Sequence, residues 1–123
     1  MYNQKVKLFL LCAQKSAALF DLNESEVFFT EAVKYAQQDL ISGMSEKIYS
    51  KALFDIFLNP NIGSLEFVCF CAHMLKLPTL RQKLEEFYAS ESSLRKKNAA
   101  EQVLKSYSDE WEDKDLYSSL KNA

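Results

Sequence analysis

The side chains best suited to nucleophilic, general-base or soft metal chemistry are few in this chain: one imidazole, His73, and three thiols, Cys12, Cys69 and Cys71. Any proton-transfer or metal proposal that needs imidazole must pass through His73. Cys69 precedes it by one helical turn, the spacing at which two zinc ligands share a helix face. A complete centre needs two more ligands. No closing CxxC or HxxH pair supplies them, and Cys12 offers at most a third. A Cys–His catalytic pair would need an exposed thiol of lowered pKa, whereas Cys69 lies inside the apolar run SLEFVCFCAHMLKL. Cys69 and Cys71 point roughly 200° apart on a helix, so they suit neither a disulfide nor a shared metal.

Carboxylates give no metal pattern either. The bundle-type centre needs Glu-x-x-His turned inward, but Glu66 is followed at that distance by Cys69 and Glu31 by Lys34, and Glu85–Glu86 sit on a polar face. With Gly43 and Gly63 as the only glycines, phosphate-cradling and nucleophile-elbow motifs cannot be written. The sequence therefore specifies no catalytic residue, no metal set and no cofactor. A metal or thiol site around His73 stays as a third reading.

Charge is spread unevenly. Arg95, Lys96 and Lys97 form a basic knot with Lys105 further along, capable of a few phosphate contacts. Against a formal charge of −2, and without the aromatic or glycine elements of RNA-binding modules, these four define only the alternative reading, a small nucleic-acid-associated helical protein. The tail YSDEWEDKDLYSSL sets five acids, Asp109, Glu110, Glu112, Asp113 and Asp115, among aromatic and aliphatic residues.

The elements that position these groups read as helices. Two Gly and two Pro leave few sites for hairpin turns, and apolar residues recur at spacings of three and four. A first helix is expected from Asn3 to Phe20, and a second from an Asn23 cap with Glu26 at the capping-box position to Ser42–Gly43. A third starts at the Ser45 cap and ends before Pro60. Ser64 caps the run to Leu77, the central rod of the fold, because a helix this apolar is buried among others. Thr79 with Gln82 is expected to cap a fifth helix, and a last one spans Leu94 to Trp111. The expected architecture is all-α, a small bundle or orthogonal array of five or six helices. Residues 1–111 form its domain, and 112–123 an acidic extension able to pack as a short helix.

Two strips stand out as contact surfaces. Glu66, Phe70, His73 and Leu77 fall within about 60° of arc on the central rod. Trp111, Tyr117 and Leu120 form an acidic aromatic patch suited to a basic partner. Each strip can instead pack internally. The preferred function is a non-catalytic protein–protein interaction module, an adaptor, regulatory, inhibitory or assembly subunit, with a protein partner or a second copy of itself. The odd cysteine count suits a reducing compartment, and the apolar stretch Val6–Ala13 is interrupted by Gln14 and Lys15. No run reaches the roughly 18 residues of a membrane span, so a cytoplasmic or otherwise intracellular setting is expected.

Overall fold

A computed structural model describes residues 2–120. Within them six α-helices follow one another: α1 (Gln4–Ala17), α2 (Leu22–Ile41), α3 (Glu46–Leu58), α4 (Leu65–Leu75), α5 (Pro78–Ser90) and α6 (Leu94–Ser106). A short 3-10 helix, Glu112–Leu116, comes after them. The all-α class expected from the periodicity is the observed one, and the described residues hold no strand. The last three residues of the expected 112–123 extension lie outside the described part.

Several helices begin where short polar side chains can satisfy the free amides of the first turn. Asn3 accepts from Val6 N at 2.8 Å, and Ser45, Ser64 and Ser93 cap α3, α4 and α6. Gly43, at φ 98°, follows α2 in the left-handed conformation that a side chain would strain. Two starts differ from expectation. Asp21, not Asn23, caps α2, which frees Glu26 for a contact described below. α5 begins at Pro78 with no side-chain cap of its own. Its acceptors come from α3. Ser50 Oγ accepts from Leu80 N at 3.0 Å, while the Glu46 carboxylate takes the Thr79 amide and hydroxyl and the Ser50 hydroxyl. Thr79 is thus a donor to a neighbouring helix.

α1 and α2 pair as a helical hairpin, and α5 packs against both α3 and α6. α4 lies between α2, α3 and α6, with Phe67, Val68, Cys69, Phe70, Cys71 and Ala72 all buried. Around it the aromatic rings meet mostly edge to face. Phe9 touches Tyr49 and Phe67, with centroids 5.1 and 5.4 Å away, and Phe29 touches Phe67 and Phe70 at 5.6 and 5.5 Å. The α3–α4 connection passes close to α1. A Cβ at Gly63 would stand 2.9 Å from Ile56 Cγ2 and 3.2 Å from Ala13 Cβ. No buried side-chain nitrogen or oxygen among the described residues lacks a partner. Asp39 illustrates the economy: one of its oxygens takes the Tyr49 hydroxyl at 2.6 Å and the Asn3 amide at 3.2 Å, joining α2, α3 and the start of α1.

Ser50→Ala removes the acceptor for a buried amide and one donor to Glu46. Unfolding free energy from urea titration should fall by about 1–3 kcal/mol. The exposed Ser90→Ala should change it by less than about 0.5 kcal/mol.

Candidate functional site

The outer side of α4 is covered by the C-terminal segment. His73 Nδ1 donates to Ser106 O at 2.8 Å, and since a carbonyl only accepts, this nitrogen carries the proton. The imidazole lies against Trp111 with centroids 5.0 Å apart; Trp111 stacks on Tyr117 at 5.9 Å, and Tyr117 meets Phe70 at 5.1 Å. Lys76 ends α4 at φ 50° and reaches the far end of α6. Its ammonium donates to Tyr107 O at 2.6 Å, and the Tyr107 hydroxyl donates back to Leu77 O at 2.7 Å. A cation and an imidazole N–H therefore serve carbonyls at the C-terminal end of α6, where the helix dipole favours them.

For both strips internal packing, weighed in the sequence against an exposed contact surface, is the arrangement found. Phe70 and Leu77 are 1 % exposed, Trp111 7 %, Tyr117 2 % and Leu120 6 %. The two strips cover each other: the tail folds back and places Trp111 on His73 and Tyr117 on Phe70. Of the seven residues, Glu66 alone keeps an exposed position, and His73 is half-buried.

What remains open is a groove of about 900 Å³. Leu65 and Cys69 of α4 line it together with Trp111 and Tyr117, and Leu22 and the 58 % exposed Leu116 add apolar surface. Gln102 and Lys105 of α6 belong to the same lining. Glu66, Glu110, Glu112 and Asp113 supply the carboxylates, and none of them is ion-paired among the described residues. The lining also holds two cations, each with a partner outside the groove's acids: Lys105 pairs with Glu101 at 3.1 Å, and Arg81 pairs with Glu85 at 4.0 Å and lies over the Tyr107 ring. Leu65 was not singled out by sequence reasoning, whereas Leu116 belongs to the apolar set of the acidic tail. The acid run 109–115 was the available signal, but only folding sets it beside an apolar strip.

Of the basic residues of α6, Lys97 lies over the Tyr88 ring of α5 at 4.7 Å, whereas Arg95 borders a second hollow with Leu65, Asn98 and Gln102, and Leu65 and Gln102 also line the groove beside Lys105. Burial raises the Cys12 thiol to about 11, helped by Glu31, and the Cys69 thiol to about 12, helped by Glu66 and Asp113. Complete enclosure likewise holds the Cys71 thiol well above its ordinary value. Among the described residues no three His, Cys, Asp or Glu side chains are grouped to hold a metal, and no helix is long and apolar enough to cross a membrane.

One buried carboxylate ties the tail down. Glu26 of α2 accepts from Ser118 N at 3.0 Å and Ser119 N at 2.8 Å. Burial pushes its carboxyl up, but the hydrogen bonds from Ser119 and Ser118 together outweigh that and hold it below the ordinary 4.5. A lowered native value means that the contact stabilises fully above pH 4.5 and fades as pH falls through the native value. Glu26→Gln should accordingly flatten the acid limb of a stability-against-pH curve measured by urea titration. The thiols give a separate check. Burial both raises the Cys12 and Cys69 thiols and shields them, so iodoacetamide should alkylate each at least about 10-fold more slowly in the native than in the unfolded chain, with Cys69 the slower. No family model matches this chain, and no curated protein or solved structure does either.

Proposed function

We propose that this chain is a non-catalytic protein-interaction module whose groove over α4 receives a basic amphipathic segment of a partner protein. The observation that carries the reading is the groove's composition: apolar walls from Leu65, Trp111, Leu116 and Tyr117 beside four carboxylates without an ion-pair partner among the described residues. An amphipathic helix lays apolar side chains spaced three and four apart into such a channel. Lysines or arginines on its flanks then meet Glu66, Glu110, Glu112 and Asp113, which speeds encounter and fixes orientation. The same acids oppose a polyphosphate ligand, and two of the cations that would serve one are engaged, Lys97 over Tyr88 and Lys105 with Glu101.

The test uses two designed helical peptides of about 15 residues, both with a leucine stripe, one flanked by lysine and one by glutamate. Fluorescence anisotropy should show saturable binding of the lysine peptide alone. Glu112→Gln with Asp113→Asn should weaken it about 10-fold, and Leu116→Asp by a similar factor. Equal binding of both peptides, or affinity indifferent to these variants, would overturn the reading. Concentration-dependent self-association abolished by Leu116→Asp would also overturn it, by assigning the groove to a second copy of the chain.

A further inference from the structure

The wall of the groove that carries Trp111, Leu116 and Tyr117 is attached to the body in an unusual way. From Glu110 to Leu120 the hydrogen bonds within the segment are local turns, namely Trp111 N to Ser108 O, Lys114 N to Trp111 O, Tyr117 N to Lys114 O and Leu120 N to Tyr117 O. Among the described residues, every hydrogen bond from this stretch to the six-helix body ends on one side chain, Glu26. That carboxylate is 5 % exposed and lies on α2, 92 residues earlier than Ser118. One oxygen takes the Ser118 amide and the other takes the Ser119 amide, so two successive N–H groups grip one anion as a backbone nest does. The Ser118 hydroxyl lies 3.3 Å from both oxygens, and Ser118 itself is on the exposed side. The rest of the attachment is apolar: Trp111 on His73, Tyr117 on Phe70 and Phe29, and Leu120 buried in the core.

We propose that residues 110–120 act as a strap, closed by Glu26 and opened by negative charge at Ser118, so that the groove exists only while the strap is shut. The proposal rests on the groove reading for its consequence and on the Glu26 contacts for its device. A second anion at the exposed Ser118 repels the Glu26 carboxylate, itself only 5 % exposed, at short range. The amides that gripped Glu26 then turn to water, and Trp111 and Tyr117 leave α4. One wall of the groove departs with them. The helices do not depend on this segment for their own hydrogen bonds, so the strap model requires the helical content to survive its opening even though apolar cover over Phe70 and Phe29 is lost.

Trp111 is the only tryptophan, which makes it a built-in reporter. In the full chain, Ser118→Asp and Glu26→Ala should raise hydrogen exchange at the Ser119 amide about 10- to 100-fold, matching loss of hydrogen bonds to a charged group. Both should also increase acrylamide quenching of Trp111 and shift its emission to the red, with the far-ultraviolet helical signal retained. Ser118→Ala keeps both amide bonds and should behave as the parent. Glu26→Gln with Ser118→Asp removes the repulsion, and its amide can donate to the new carboxylate, so it should restore part of the protection that Ser118→Asp loses. Lysine-peptide affinity should fall in parallel with Trp111 exposure, whereas Glu112→Gln with Asp113→Asn should lower affinity and leave Trp111 shielded.

Three results would overturn the strap: Trp111 and Ser119 as protected in Ser118→Asp and Glu26→Ala as in the parent, no recovery in the double variant, or collapse of the helical signal in Ser118→Asp. Should the parent fail to bind the lysine peptide, the groove function falls, and the exchange and quenching measurements still decide whether the strap exists.

Discussion

A helix without a polar face has to be wrapped, and α4 imposes that requirement on the whole chain. Phe67 to Ala72 are buried in unbroken succession, so every direction around this rod needs a covering element. Each large apolar side chain taken from water contributes about 1.5–3 kcal/mol, which outweighs any single surface interaction in the molecule. α2, α3 and α6 supply three sides. The remaining side is closed by aromatic rings of the C-terminal segment, and what they leave uncovered is the groove.

Packing alone sets few angles, and three carboxylates, two buried and Glu46 half-buried, add direction. Asp39 collects donors from the start of α1 and from α3, Glu46 collects them from α3 and α5, and Glu26 collects them from the C-terminal segment. Each carboxylate is a sink for several N–H or O–H groups from sequence-distant elements. Leaving any of them half-satisfied in the interior would cost more than the bond contributes. They act as register pins for a core whose apolar contacts are otherwise tolerant. The groove has the opposite character, because its acids face water and none of the four is ion-paired among the described residues.

Local chemistry made most of the helices legible. The serines at 45, 64 and 93, the left-handed Gly43 and the apolar spacing of α2 act within one or two turns, so their effect is written in neighbouring residues. Asn23 and Thr79 misled for the converse reason. Asp21 sits two residues earlier and captures the Asn23 amide, and α5 takes its acceptors from Glu46 and Ser50, about thirty residues upstream. The last helix is shorter than its apolar spacing suggests, because the Ser106 and Tyr107 carbonyls are taken by His73 and Lys76, and the chain turns back.

The candidate site was legible only in its ingredients. Surplus apolar faces on the central rod and in the tail, together with an acidic run, are properties of residue order, and the sequence by itself determined them along with the all-α class and the buried rod. Which faces meet is a question of three-dimensional proximity. Two strips that each look too greasy for a monomer's surface lower their free energy most by burying one another, and residues 33 or 92 apart cannot announce that pairing locally. Tertiary structure alone therefore decided that Phe70 and Trp111 are interior and that Glu66 joins the tail acids at one groove. It also decided that Glu26, which reads in the sequence as a helix cap, holds the end of the chain, because a buried carboxylate is satisfied by whichever amides folding brings to it.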